Sequence, residues 1–302
     1  MKFIDYTATQ SDEGRRLSSV LKDKLHASST LIKINKKRDG NLLNGASAFS
    51  DRIVHAGDTV SLRIDDESEK THRKTSLFSD SFDIPILYED DYMIIIDKPA
   101  GIEIHPSALC TGVSLSELMS GCFGEGEGFH AVNRLDRGTS GIMAVAKTGY
   151  MHSLLIPLLH TDSFIRRYLA VVEGVPSPKK GEITLPISRD PDSAIKRKIS
   201  PDGLKSRTSY EVLSSACGRS LVSLTAHTGR THQLRLHMSA IGCPITGDWL
   251  YGTEDRALIQ RPALHSSSIQ LIHPLSGARI SLQAALPRDI ASLLLSPSQP
   301  RR

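Results

Sequence analysis

Cysteine is scarce in this 302-residue chain, which contains four cysteines and no closely spaced pair among them. A zinc site built from thiolates, or a disulfide framework, draws on cysteines that recur at short and regular spacing. Neither is expected here, and unpaired thiols fit the reducing cytoplasm. The four residues are Cys110, Cys122, Cys217 and Cys243.

Long hydrophobic runs are also missing from the sequence. The longest apolar stretches, such as residues 92–96, are the size of a β-strand and far too short to span a bilayer. Residues 1–5 carry one early positive charge with no apolar stretch behind it, unlike a secretory signal. There is neither a P-loop nor a dinucleotide-binding fingerprint. We therefore expect a cytoplasmic protein with no membrane partner and no nucleotide cofactor.

The composition is that of a globular protein, with 39% hydrophobic residues, 23% charged residues and a net charge of +4. The charge is unevenly distributed along the chain. Residues 1–64 hold eleven Lys and Arg against seven Asp and Glu, and the other 238 residues balance at 26 of each. A basic excess at one end predicts an electrostatic docking element, although a solvated helix face would give the same excess.

Residues 1–64 predict a small α+β unit. Leu17, Val20 and Leu21 recur at helical spacing, and Ser28 or Ser29 can cap a second helix that exposes its lysines. A short strand and turn follow at residues 42–45, and residues 56–64 alternate as a strand. This order of elements resembles the S-four-type RNA-binding module, named after a small-subunit ribosomal protein.

The rest of the chain predicts a linker, a second domain and a tail. Residues 65–83 are polar with scattered charge, as in a flexible linker. Residues 84–290 alternate short strands with helices, and residues 291–302 form a tail. Two strands are expected around an acidic turn at residues 86–96, and Pro157 must end or kink a helix over residues 150–160. A further helix is expected to begin near residue 231.

One acidic residue has an unusual setting. Residues 130–141 read HAVNRLDRGTSG, which places Asp136 between Arg134 and Arg137 and ahead of a Gly-Thr-Ser-Gly turn. Flanking cations hold a carboxylate ionised and attract phosphate, as a nucleophile beside nucleic acid requires. Ordinary turn chemistry before a strand would also account for the Asp and the glycines.

Two distant stretches add to this motif. Residues 228–237 read TGRTHQLRLH and are followed by GCPITGD at 242–248, and residues 167–174 read RYLAVVEG. Together the three stretches resemble the RluA-type pseudouridine synthases, a family that includes the large-subunit ribosomal RNA enzymes. The resemblance runs from about Ile86 to Pro287. It implies an α+β catalytic domain, with a mixed and mainly antiparallel sheet flanked by helices, that isomerises uridine to pseudouridine in RNA without metal or cofactor.

The resemblance assigns three catalytic residues. Asp136 is the expected nucleophile, and Arg235 is its expected bidentate partner, which keeps the carboxylate ionised against the effect of burial. Tyr168 is expected to stack on the uracil and to take part in proton transfer. The alternatives are a surface arginine on an amphipathic helix for Arg235 and a tyrosine packed in the core for Tyr168.

Six further residues form the expected substrate-binding set. Arg134 is expected to fill the space of a uridine that has left its stack. The chain departs from the family at Asn133, where His is common, and at Arg166, where Lys is usual. His232 and His237 are five residues apart and do not share a helical face, so no zinc site is expected. The six residues of the expected substrate-binding set are Arg134, Arg137, Thr139, Arg230, His232 and Gln233.

The organisation of a module followed by a catalytic domain favours large-subunit ribosomal RNA as the target, and a monomer as the working form. Transfer RNA enzymes share the same motifs. Two alternatives come from other classes: a non-catalytic RNA-binding or ribosome-assembly factor of the same fold, and a nucleoside hydrolase. The hydrolase would use Asp136 and Asp248 as its pair of carboxylates.

Overall fold

The computed structural model describes residues 1–66, 84–106 and 112–295. The first 66 residues form a small α+β module. Its two helices are α1 (Leu17–Lys24) and α2 (Ser29–Lys37). Its strands are β1 (Phe3–Thr7), β2 (Arg15–Arg16), β3 (Asn41–Leu43), β4 (Ala46–Ser47), β5 (Ile53–Val54) and β6 (Thr59–Arg63). Four strands form a sheet in the order β1-β6-β3-β4, and β2 pairs with β5.

The two helices of the module form where the periodicity predicts them. Leu17, Val20 and Leu21 of α1 are fully buried in the module's core. Ser28 caps α2, since its hydroxyl accepts a hydrogen bond from the Leu31 amide at 3.0 Å. Asn44 turns the chain between β3 and β4 with a positive φ of 52°, which asparagine tolerates. The predicted helix–helix–strand order is therefore confirmed.

A ten-stranded sheet forms the centre of the second domain, in the order β12-β15-β16-β11-β17-β10-β8-β7, with β9 beside β10 and β18 beside β17. Only β10 and β17 pair in parallel among the described strands of this sheet, so the predicted mixed and mainly antiparallel sheet is confirmed. The strands are β7 (Ile86–Glu89), β8 (Met93–Lys98), β9 (His130–Ala131), β10 (Ser140–Ala146), β11 (Phe164–Glu173), β12 (Lys180–Ile183), β15 (Thr208–Ala216), β16 (Arg219–Ala226), β17 (Leu264–Ile272) and β18 (Arg279–Gln283). Strands β13 (Ile187–Arg189) and β14 (Arg197–Ile199) form a separate pair.

Short helices cover this sheet. They are α3 (Leu115–Leu118), α4 (Gly149–Leu155), α5 (Gln233–Ala240) and α6 (Arg288–Ala291). Helix α4 gives way at Ile156 to a 3₁₀-helix with Pro157 in its first turn, as the proline predicts. No helix in the described part of the chain is long and apolar enough to cross a membrane.

Both faces of the central sheet are packed. Along β8, Ile94 and Ile96 belong to one hydrophobic core, and Met93 and Ile95 belong to the core on the opposite face. All four residues are fully buried. A strand buried on both faces explains the uninterrupted apolar run, since no position alternates to solvent. The first of these cores also contains Tyr168, and it underlies the site described below.

The module and the central sheet are packed against each other. Tyr150 of α4 joins the module's core and donates its hydroxyl to the Leu25 carbonyl at 2.7 Å. Asp66, in the predicted linker, accepts hydrogen bonds from His130 Nε2 at 2.6 Å and from the Gly149 amide at 2.9 Å. Residues 67–83 of that linker, and residues 296–302 of the predicted tail, lie outside the described residues.

Candidate active site

A cleft of about 780 Å³ opens over the first core of the central sheet. It is lined by the loop before β10, by α4 and β11, and by the loop that leads into α5. All nine residues that the sequence assigns to catalysis or substrate binding line this one cleft. They are Arg134, Asp136, Arg137, Thr139, Tyr168, Arg230, His232, Gln233 and Arg235.

Asp136 lies on a tight turn between β9 and β10. The turn is closed by the Thr139 amide, which donates to the Asp136 carbonyl at 2.9 Å. Gly141 adopts a φ of +110°, and a Cβ there would lie 2.2 Å from the Ser266 carbonyl oxygen. The glycine is therefore needed to bring β10 against β17 directly behind the turn. The Asp136 side chain keeps 28% of its surface exposed to the cleft.

Arg235 contacts Asp136 from the buried side of α5. Its Nη1 donates to Asp136 Oδ2 at 3.3 Å. The bidentate pair expected between these two residues is instead formed with Asp248, because Arg235 Nε and Nη2 each donate to an Asp248 oxygen at 2.7 Å. The contact to Asp136 is a single bond from the remaining nitrogen. The predicted bidentate pair therefore had the wrong partner, because Asp248 lies closer to the Arg235 guanidinium than Asp136 does.

Asp248 is a fully buried anchor for the arginine. Its Oδ1 also accepts hydrogen bonds from the backbone amides of Leu250 at 3.0 Å and Tyr251 at 3.2 Å. The side chain has no exposed surface. Its oxygens already accept four hydrogen bonds from the protein. Asp248 therefore cannot face a substrate as the second acid of a hydrolase, and it fixes the orientation of Arg235.

The protonation of Arg235 follows from this pairing. Burial acts to lower its pKa, but the hydrogen bond and the charge of Asp248 outweigh burial, and Asp136 adds to them. The pKa of Arg235 is therefore raised above its ordinary value. The guanidinium stays charged under all working conditions and presents one fixed N–H to Asp136.

Tyr168 lies on β11 with only 6% of its surface exposed. Burial raises the pKa of its phenol, Arg166 acts to lower it, and the charge of Asp136 raises it further. The net shift is upward, so the hydroxyl remains protonated near neutral pH and can donate. Tyr168 packs in the hydrophobic core and also lines the cleft. The prediction of a catalytic tyrosine and the alternative of a core tyrosine are therefore compatible.

Two of the predicted substrate-binding arginines are free to meet a ligand. Arg134 and Arg137 are exposed beside Asp136, and Arg137 Nε donates to the Gly101 carbonyl at 3.0 Å. Thr139 is buried in the turn. Arg230 is half-buried, with its Nε on the Lys205 carbonyl at 3.2 Å. These side chains place positive charge around the mouth of the cleft.

The remaining two predicted residues shape the loop before α5. His232 adopts a left-handed φ of 58°, and its Nδ1 lies 3.0 Å from the Tyr251 hydroxyl. Gln233 is buried, and its amide oxygen accepts from the Thr228 hydroxyl at 2.7 Å and the Arg230 amide at 3.1 Å. Its amide nitrogen donates to Thr208 Oγ1 and the Arg207 carbonyl. With its hydrogen bonds used internally, Gln233 holds the loop in place.

Sequence reasoning missed two cations near the turn of Asp136, of which Lys98 is buried and Arg261 is partly exposed. Arg261 Nη1 donates to the Gly138 carbonyl at 3.3 Å and to Ser140 Oγ at 3.2 Å, and its other nitrogens pair with Asp289 at 2.7 and 2.9 Å. Lys98 is fully buried, and burial lowers its pKa to about 8. Neither residue lies in the three motifs, so spacing gave no signal for them. Within the described residues, no cluster of three or more His, Cys, Asp or Glu could hold a metal.

Comparison with known proteins identifies the family. The model of a family described as RNA pseudouridylate synthase matches residues 92–240. An uncharacterized RNA pseudouridine synthase of Bacillus subtilis is 35% identical over 96% of this chain and 96% of its own length. Ribosomal large subunit pseudouridine synthase D of Pseudomonas aeruginosa is 34% identical over 85% of this chain and 84% of its own length.

A solved structure supports the same family. Human RNA Pseudouridylate Synthase Domain Containing 4 superposes with a TM-score of 0.55 at 27% identity, covering 71% of this chain and 95% of that one. The fold, the motifs and these relatives agree. The chain belongs to the RluA-type family of RNA pseudouridine synthases, enzymes that isomerise uridine to pseudouridine in RNA.

Proposed function

We propose that this enzyme modifies large-subunit ribosomal RNA, and that Asp136 attacks a uridine that has been flipped out of its stack into the cleft. The observation that carries the catalytic part is the chain of contacts from Asp136 through Arg235 to the buried Asp248. It holds one partly exposed carboxylate in a fixed orientation, in a cleft that is rich in cations.

The reaction breaks the bond between ribose C1′ and uracil N1 and forms a bond between C1′ and C5. The Asp136 carboxylate can act by attacking C1′ or by removing a neighbouring ribose proton to give a glycal-like intermediate. Both routes free the uracil, which turns and bonds to C1′ through C5. In the first route the bond between Asp136 and C1′ breaks at that point, and in the second route the abstracted proton returns to the ribose. The C5 proton then leaves and N1 gains a proton, so the base keeps its composition. We assign this proton exchange to the Tyr168 hydroxyl, which burial and Asp136 keep protonated and which lines the same cleft as Asp136.

Arg235 and Asp248 keep the nucleophile effective as the RNA closes the cleft. Displacing water weakens the solvation of a carboxylate and favours its neutral form. The fixed N–H of Arg235 donates to the Asp136 carboxylate in place of that water and orients one of its oxygens. A buried Asp248 in turn prevents the guanidinium from rotating away.

Arg134 and the N-terminal module are proposed to act on the RNA instead of on the reacting atoms. Arg134 is exposed two residues before Asp136, where it can occupy the space of the departed uridine. Arg137 and Arg230 supply phosphate contacts at the cleft. The exposed lysines of α2 extend the positive surface to the module and add salt-dependent affinity. We propose that the enzyme works as a monomer.

Relatives named ribosomal large subunit pseudouridine synthase D support the choice of ribosomal RNA, since those of Zymomonas mobilis and Xanthomonas campestris are 35% and 32% identical over 70% and 94% of this chain. The test is to incubate the purified chain with unmodified transcripts of large-subunit ribosomal RNA and of transfer RNAs, and then to map pseudouridine. We expect new pseudouridine at specific positions of the ribosomal transcript. Modification of transfer RNA alone would overturn the proposed target.

A further inference from the structure

Arg166 is a buried cation in the wall of the cleft. It has 5% of its surface exposed and lines the cleft. No carboxylate in the described part of the chain forms an ion pair with it. Its Nη2 donates to the carbonyls of Leu159 at 2.9 Å and Ala226 at 3.1 Å, and its Nε is buried without a hydrogen-bond partner. An arginine does not deprotonate in a protein, so this positive charge is not neutralised internally.

The other cations in the protein interior differ from Arg166. Arg235 is paired with Asp248 and Asp136, and Arg219 contacts Glu173 at 3.4 Å. Lys98 relieves the cost of burial through a pKa lowered to about 8. Burying an unpaired ion is strongly unfavourable unless an opposite charge completes it. The structure therefore leaves an anion-binding position at Arg166.

The geometry around Arg166 fits one nucleotide that also reaches Tyr168. The two residues alternate onto the same face of β11, which separates them by roughly 6–7 Å along the strand. A base on Tyr168 and its own phosphate span a distance of this order. Gly229 lies against the guanidinium, since a Cβ there would be 3.4 Å from Arg166 Nη1. The missing side chain allows a ligand to approach the backbone of this loop closely.

We propose that Arg166 binds a backbone phosphate that flanks the flipped uridine, and so anchors the nucleotide whose base meets Tyr168. This inference rests on the proposed function, because it takes the cleft to hold a uridine of RNA. A guanidinium suits the role because Nη2 is held by the two carbonyl oxygens while Nη1, beside Gly229, keeps two N–H donors for a phosphate. The residue thus adds a seventh substrate-binding position to the six predicted from the sequence.

The test measures RNA binding as a function of salt. All variants carry Asp136→Asn so that the RNA is not altered, and the probe is a short single-stranded RNA with one uridine. Each phosphate contact contributes about 0.7–1 to the slope of log affinity against log salt. We expect Arg166→Gln to reduce that slope by about this amount and to weaken binding roughly ten- to a hundredfold. Arg167→Gln is the matched control, because it removes the same charge from the other face of β11.

A second measurement replaces the phosphate on either side of the uridine with an uncharged methylphosphonate. At one of the two positions, the neutral linkage should reproduce the effect of Arg166→Gln and remove any further effect of that variant. Should the Gln variant not fold, Arg166→Lys keeps the charge but cannot both bond the carbonyls of Leu159 and Ala226 and present an N–H to the phosphate. Its binding should fall by severalfold with an unchanged slope, and the deficit should disappear with the neutral linkage.

Four results would overturn the proposal. The slope could be unchanged in a folded Arg166→Gln variant, it could fall equally in Arg167→Gln, or neither neutral linkage could couple to Arg166. A shifted pH profile of turnover with unchanged binding, measured with Asp136 intact, would also overturn it, because Arg166 would then act only on Tyr168. Failure of the proposed function is separate, since it would appear as no pseudouridine from the unaltered chain.

Discussion

The N-terminal module and the catalytic cleft are both rich in cations, but they hold them differently. The module carries eleven Lys and Arg in residues 1–64, and none of these residues, all of which the structure describes, is buried. In the cleft, Arg166 and Arg235 each have 5% of their surface exposed and are held by protein oxygens. Exposed cations attract RNA in proportion to their number and are screened by salt. Buried cations instead fix the positions of individual groups, so conservative replacements are expected to be costly there.

Tyr168→Phe should give the largest effect among the neighbours of Asp136. Losing a proton-transfer group typically slows a reaction about 100-fold or more, and the ring keeps its stacking surface. The pKa of Tyr168 lies above its ordinary value of 10.0, so wild-type turnover should show no loss from its deprotonation as pH rises toward that value. Single-turnover rates across pH test both points. Tyr210→Phe is the control, because Tyr210 is a buried tyrosine on β15 that bonds the Pro178 carbonyl. Wild-type rates for Tyr168→Phe would leave only a stacking role.

Arg235→Lys should cost roughly ten- to a hundredfold in turnover, because an ammonium cannot bond both oxygens of Asp248 and still reach Asp136. RNA affinity should change little. The same exchange at Arg256, whose side chain is 79% exposed beside Glu254, should have no effect. The measurement is kcat and KM for the three chains. A fall in kcat of less than about threefold for Arg235→Lys would mean that the bidentate pair of Arg235 with Asp248 is not needed for catalysis.

Arg134→Ala should separate the cost of flipping from the chemical step. Unstacking a base costs roughly a few kcal/mol, which an unstructured RNA largely avoids. We expect a loss of about tenfold or more on a hairpin substrate and a much smaller loss on a short single strand. Arg137→Ala, at a neighbouring exposed arginine, should affect both RNAs alike. Equal losses for Arg134→Ala on the two RNAs would remove its role in flipping.

The exposed lysines of the module should give the smallest effect. Lys36→Gln with Lys37→Gln should lower the salt slope of RNA binding by about 0.7–0.9 for each phosphate that the module no longer neutralises, while turnover at saturation is unchanged. The matched pair is Lys179→Gln with Lys180→Gln, two adjacent exposed lysines of the catalytic domain. Charge variants are preferred to deletion of the module, because Tyr150 and Leu25 join it to the central domain. If the two double variants showed the same salt slope of RNA binding, a docking role for the module would be contradicted.

The sequence indicated the elements that local patterns determine. The helices of the module and the break at Pro157 followed from periodicity and the proline. The meeting of Asp136 and Arg235 in one cleft followed from the resemblance to the RluA-type family. The sequence did not indicate which aspartate forms the bidentate pair with Arg235. Asp136 and Asp248 are the same residue type, and they differ in burial, which only the fold determines. Arg166 was visible as a charge, but its isolation depends on which side chains fold around it. Such information lies in long-range packing, which spacing along the chain does not encode.

The central claim is that the Asp136 carboxylate performs the chemistry while the buried groups around it hold it in place. Asp136→Asn keeps the shape of the side chain and removes its charge. Pseudouridine formation on the preferred RNA should be abolished, with thermal stability and RNA affinity nearly intact, whereas Asp202→Asn at an exposed position should behave as wild type. Normal pseudouridine formation by a folded Asp136→Asn variant would contradict the account.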